Sequence, residues 1–372
     1  MKTNDKLIIE DLPDELLVHM HRHHTLDNLA ILFNVSRRMR RIAIEVVRNH
    51  RHPDRNAASL IQATNNRDLT KITLLLYAGG FNVDSKDHTN YTSLMNITSS
   101  HNRNNKSEII KLLLEAGANP NEQDNEGITS LNYEVRHRNV EIVRMLLDYG
   151  ARINDNELHG LTIIDNVITY NLVDIIKLLI PKITKQTEIN KLLIYAIKYD
   201  TRRYIMSHKE RKDLVKLLLN YGANPNVDFD HFYSRSTLLI RASTHGWVEI
   251  IKLLLDYGAD INAIDAYGST ALMSGINENN PNKFDTVKIL LDYGADMNVT
   301  ALSRHNIPYT ALKLAHIKGY DDIAKLFIKK QKQKSKKRRN LVKKQTKQRQ
   351  KIKRRRRRKR QTKDRSRFKI NF

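Results

Sequence analysis

Cysteine is absent from the 372 residues, which removes disulfides, thiolate metal sites, iron–sulfur clusters and a cysteine nucleophile together. No apolar run approaches the roughly 20 residues that a membrane span needs. The opening segment, MKTNDKLIIEDLPDELL (Met1–Leu17), gains acids as soon as it turns apolar, and does not read as a signal peptide. Gly-x-Gly-x-x-Gly, Gly-Lys-[Ser/Thr], His-Glu-x-x-His and Gly-x-Ser-x-Gly are all missing. The expectation is a soluble intracellular protein that is not an enzyme and has no cofactor or resident metal.

Acidic residues are scarce in one place only. Lys plus Arg number 65 against 40 Asp plus Glu, a net charge of +25. From Lys329 to Phe372 there are 25 basic residues and one acid, Asp364, a local +24. The remaining 40 basic and 39 acidic residues leave Met1–Ile328 at +1. A polycation is joined to a near-neutral body.

That body is built from repetition, the first thing to look for in a chain of this length. The string LLLDYGADIN (Leu253–Asn262) returns as LLLEAGANPN (Leu112–Asn121), MLLDYGARIN (Met145–Asn154), LLLNYGANPN (Leu217–Asn226) and ILLDYGADMN (Ile289–Asn298). A weaker copy starts at Leu74. The glycines fall at 79, 117, 150, 222, 258 and 294, and the one double gap holds a degenerate copy, KLLIPK (Lys177–Lys182). A threonine opens most units: Thr92, Thr129, Thr162, Thr237, Thr270 and Thr310. Its hydroxyl can accept an orphan N–H at a helix start, and the glycine suits the left-handed residue that ends a helix.

These residues at these spacings resemble the ankyrin repeat. The resemblance implies an all-α solenoid over 57–330, about eight helix-pair units joined by short β-hairpin turns. The first unit has only its two helices, and the last lacks the Gly-Ala-Asp ending, as units that face water should. Loops are expected near Ser100–Asn105 and Thr201–Lys209. Pro181 should end a helix early, so coupling between neighbours should be poorest over Pro181–Lys209. Asp148, Asp256 and Asp292, like Tyr149, Tyr221, Tyr257 and Tyr293, recur at equivalent positions and read as structural. The family binds proteins on its concave face, which points to hairpin tips at Asp124, Asn125, Glu126, Asp265, Ala266 and Tyr267.

Ahead of the repeats, residues 8–50 include LPDELLVHMHRHHTLDNLAILFNVSRRMRRIA (Leu12–Ala43). This stretch resembles an F-box, with Met39 where the family has Trp. The resemblance implies three helices that dock on a Skp1-type adaptor of a cullin ubiquitin ligase, through Leu12, Pro13, Leu16, Val35 and Met39. The other reading is a helical cap for the solenoid, which also needs an apolar face. His19 and His23 lie four residues apart, but no acid stands ready as a third ligand, so they read as a solvated face. Together the two modules resemble the ankyrin families of giant DNA viruses that infect amoebae, which implies a host-directed role.

Residues 331–372 read as a basic tail, disordered or a nascent helix when free, since like charges repel and little apolar surface is available for burial. Its densest run is Lys353, Arg354, Arg355, Arg356, Arg357, Arg358, Lys359 and Arg360. A nuclear-import address, a phosphate-binding arm for nucleic acid and a solubilising tail all fit. Aromatic residues are missing from the run, so base readout is not expected.

Overall fold

In the computed structural model, described over residues 14–21, 25–50, 52–153, 162–198, 206–229, 236–302 and 308–368, the chain divides into two compact units, Met1–Leu192 and Leu193–Phe372. The division falls inside the interval in which the sequence places the poorest coupling.

The first unit begins with three helices, α1 (Asp14–His21), α2 (Leu26–Val35) and α3 (Arg37–His50). Helix pairs follow: α4 (Pro53–Asn66) with α5 (Leu69–Ala78), α6 (Ser93–Ser99) with α7 (Lys106–Glu115), α8 (Ser130–Arg136) with α9 (Val140–Asp148), and α10 (Ile163–Thr169) with α11 (Val173–Leu179). A 3-10 turn, Ile180–Lys182, closes α11 at Pro181. Helix α12 (Gln186–Lys198) then runs across the dividing point.

The second unit continues with α13 (His208–Asn220), α14 (Leu238–His245) with α15 (Val248–Asp256), α16 (Ala271–Ser274) with α17 (Lys283–Asp292), and α18 (Ala311–Ile317) with α19 (Asp321–Phe368). Two short antiparallel ribbons precede α14 and α18: β1 (Asp228–Phe229) pairs with β2 (Ser236–Thr237), and β3 (Ala301–Leu302) with β4 (Pro308–Tyr309). The strands are only two residues long, so the fold is mostly helical.

The local signals act as anticipated. Thr92, Thr162, Thr237, Thr270 and Thr310 each accept the backbone N–H three residues on, at the start of α6, α10, α14, α16 and α18. At Thr129 a capping box forms with Asn132, whose Oδ1 accepts from the threonine N (3.1 Å) and Oγ1 (2.6 Å). Helix α15 ends where Gly258 takes φ 89°, and Gly258 N and Ala259 N donate to Leu255 O and Leu254 O. The second helices bury an apolar stripe against the core, as with Ile250, Ile251 and Leu254 in α15.

At Asn121, Asn226 and Asn262 the asparagine near the end of the string joins one repeat to the next. Asn121 Oδ1 accepts from Arg152 N (2.7 Å) and its Nδ2 donates to Gly150 O (3.0 Å). Asn226 does the same with Asp260 N (2.7 Å) and Gly258 O (2.9 Å). Each side-chain amide thus replaces backbone partners that a lone hairpin would leave to water.

The C-terminal segment forms a continuous helix. Helix α19 starts with Ile323, Ala324 and Phe327 buried and continues unbroken to Phe368. Neither proline nor glycine occurs in it, and lysine, arginine and glutamine are good helix formers. Nothing local stops the helix once its first turns are docked.

Candidate functional site

The hairpin between α7 and α8 shows how a tip is made. Asp124 N donates to Ile128 O, and Gly127 N to Asp124 O, both at 3.1 Å. Asp124 Oδ1 accepts from Glu126 N and Ile128 N at 2.9 Å, while Oδ2 accepts from Tyr133 Oη at 2.7 Å. Asp124 is buried as a result. Asp265 repeats the turn, its Oδ1 accepting from Tyr267 N and Ser269 N at 2.8 Å. At Asp87 burial would raise the carboxyl pKa, but hydrogen bonds from Thr89, Tyr91 and Asn96 outweigh it and hold the group down to about 2.

The sequence-derived tips therefore separate into two kinds. Asp124 and Asp265 build the turn with their carboxylates. Asn125, Glu126, Ala266 and Tyr267 are exposed, with Tyr267 60% accessible.

In the N-terminal helices, Leu12, Pro13 and His23 lie outside the described residues, as do the side chains of Leu16 and His19. Met39 is buried. It opens the inward stripe Met39, Ile42, Ala43, Val46 and Val47 of α3, so it does not face a partner as the resemblance implied. Val35 is exposed at 60%, beside Ile31 at 66% one turn earlier on α2. Helices α2 and α3 also pack on α5. Arg48 Nε donates to Ala78 O (2.8 Å), Asn34 Nδ2 to Thr70 Oγ1 (3.3 Å), and Lys71 pairs with Asp27. The three helices close the open end of the repeats.

A set of residues that the sequence analysis did not single out lies in the first turn of α7, α13 and α17. Lys106 is buried there and its Nζ lies 2.7 Å from Glu134 Oε1. Further on, Arg211 lies over the Trp247 ring at 4.4 Å and Lys283 over Tyr320 at 5.5 Å. Each is followed two residues later by an acid, Glu108, Asp213 and Asp285, but the residues themselves vary in type and share no identity. Burial raises the Glu134 carboxyl to about 7 against the pull of Lys106. Burial lowers His137 to about 4, helped by Lys106 and His101.

A shallow concavity of about 380 Å³ is lined by His208, Lys212, Trp247, Val248 and Asn282. Among the described residues no group of three or more His, Asp or Glu is placed to hold a metal ion. No helix there is long and apolar enough to cross a membrane. Lys353 is exposed on α19, whereas the side chains of Arg354, Arg355, Arg356, Arg357, Arg358, Lys359 and Arg360 lie outside the described set.

Comparison with known proteins finds no match among curated proteins. Of solved structures, 408 chains match. One, described as EF0377, an ankyrin repeat protein, is 22% identical with a TM-score of 0.28, over 73% of this chain and 97% of that one. Another, the human ASB11 ankyrin repeat domain, is 26% identical with a TM-score of 0.37, over 64% of this chain and 98% of that one. A family model described as ankyrin repeats (3 copies) matches residues 60–157 and 204–301, together more than half of the sequence. With the capped helix pairs and the asparagine links between them, this places the chain in the ankyrin repeat family.

Proposed function

We propose that the chain is a non-catalytic adaptor whose repeats hold a target protein while its N-terminal helices recruit a Skp1-type adaptor of a cullin ubiquitin ligase. Ankyrin repeats are in general protein–protein interaction modules. The observation that carries the recruiting half is the pair Ile31 and Val35, two large apolar side chains open on one face of α2. The test is capture of binding proteins by the full chain and by an Ile31→Ser/Val35→Ser variant, which leaves the cap on α5 in place. Skp1 and cullin peptides recovered with the first and lost with the second support the reading. Their absence from both rejects it.

A second reading concerns the tail and rests on the charge of +24 from Lys329 to Phe372. The segment is a phosphate-binding arm for nucleic acid, and the same basic run serves as a nuclear-import address. Removal of 331–372 spares the docked turns of α19. It should abolish binding to duplex DNA and shift the protein out of the nucleus. Unchanged DNA binding would place the contact on the repeats.

A further inference from the structure

The cations of α19 are unevenly arranged about its axis. Lys325, Lys329, Lys332, Lys336, Arg339, Lys343 and Lys347 succeed one another at intervals of three and four residues. At 3.6 residues per turn these seven remain within an arc of about 80°. All are exposed, and among the described residues none is paired with an acid. No Asp or Glu stands between Asp322 and Asp364. Lys325, Lys329, Lys332 and Lys336, with Ile328 and Gln333, line a groove of about 390 Å³ along the helix.

We propose that this stripe is a rail for the phosphates of one strand of double-stranded nucleic acid. From Lys325 to Lys347 it covers about 33 Å of helix axis, a length over which one strand of a duplex carries about ten phosphates. Charge complementarity is what selects the occupant. A lipid surface would need a continuous apolar band beside the cations, whereas Ile328 alone borders the stripe, and the exposed Val342 and Ile352 stand ten residues apart and off it. The inference rests on reading the tail as a nucleic-acid arm, but it places the contact on one face, upstream of Lys353–Arg360.

The experiment uses the full chain, a random-sequence DNA duplex and two variants that each remove four charges. The stripe variant is Lys329→Gln/Lys332→Gln/Lys336→Gln/Lys343→Gln. The matched control, off the stripe, is Lys334→Gln/Lys344→Gln/Arg349→Gln/Lys353→Gln. Glutamine keeps helix propensity in both, and circular dichroism checks it. Affinity measured against salt should have a log–log slope shallower by about 3 to 4 in the stripe variant and by less than about 1 in the control. Equal loss in the two overturns the rail and leaves a tail that binds by net charge alone. No duplex binding by the full chain removes the nucleic-acid reading itself. Binding to phosphatidylserine vesicles without binding to duplex would assign the stripe to a membrane surface and overturn the proposal.

Discussion

Lys106 Nζ lies 2.7 Å from Glu134 Oε1, with the two side chains only 4% and 0% accessible. The lysine opens α7 and the glutamate belongs to α8 of the next repeat. Nζ also donates to the carbonyls of Thr98 (3.0 Å) and Ser100 (2.7 Å), which anchors the loop ahead of α7.

Breaking this pair from one side leaves a charge buried without its partner. Lys106→Met should therefore destabilise the protein by about 3–5 kcal/mol. Replacing both, as Lys106→Met/Glu134→Met, should recover most of that loss, because no buried charge remains. Urea unfolding followed by circular dichroism measures both. A double variant no more stable than the single one would contradict the account.

The same cluster should respond to pH in two opposed ways. Glu134 titrates near 7 when folded against 4.5 when free, because burial disfavours its charge. The folded state then binds the extra proton, so this group's contribution falls as pH rises from about 4.5 to about 7. His137 titrates near 4 against 6.5, again because of burial, and the unfolded state binds the extra proton. Its contribution rises from about pH 4 to about 6.5. Glu134→Gln should leave a stability that climbs over that range, and His137→Gln one that declines from about 4.5 to 7. The unmodified protein should be flatter than either when chemical unfolding is repeated at each pH.

In the second unit Arg211 is buried, lies over the Trp247 ring and donates through Nη1 to Ala196 O at 2.6 Å. Trp247→Ala should cost about 3–5 kcal/mol through the lost packing. Arg211→Lys should cost about 1–2 kcal/mol, since an ammonium cannot stack as the planar guanidinium does. Trp247 is the only tryptophan, so its fluorescence follows the unfolding of this unit. A stable Arg211→Lys variant with an unshifted emission would show that the stacking is incidental.

Two glycines with left-handed backbone should differ sharply when replaced by alanine. At Gly258, φ 89°, an added Cβ would meet nothing within 4 Å, so only the backbone conformation opposes it, by about 1–2 kcal/mol. At Gly246, φ 67°, the Cβ would lie 2.0 Å from Asn280 Oδ1. That asparagine is buried and held by bonds to Ser243 O (3.1 Å) and Gly275 O (2.7 Å), so it cannot swing aside cheaply. Gly246→Ala should be the more destabilising by about 1–3 kcal/mol in thermal or urea unfolding. Equal effects would mean that the Asn280 contact is not tight.

The helix pairs, their threonine starts and their glycine ends could all be read from the chain, because each depends on groups within one or two turns of sequence. Thr162 caps α10 through Asp165, three residues on, and Pro181 ends α11 with its own ring geometry. The turn-building role of Asp124 is also local, spanning only residues 124–128 and Tyr133, but a sequence does not say whether a tip carboxylate points outward or back to its own backbone.

What the sequence determined by itself is the repeat period and the helical character of each unit, since propensity, capping and apolar spacing act over a few residues. Which side chains become partners across repeats follows from the stacking of the units. Glu134 and Lys106 stand 28 residues apart and Trp247 and Arg211 36 apart, distances closed only when neighbouring repeats stack. Met39 likewise turns inward while Val35 stays open, because the packing of α3 fixes which face of the helix is buried. In α19 the charges left disorder and nascent helix both open, and the docking of Ile323, Ala324 and Phe327 starts a helix that has no residue to break it. The cost of nucleation is met by tertiary contact at one end, and the cations beyond it are thereby brought onto one face.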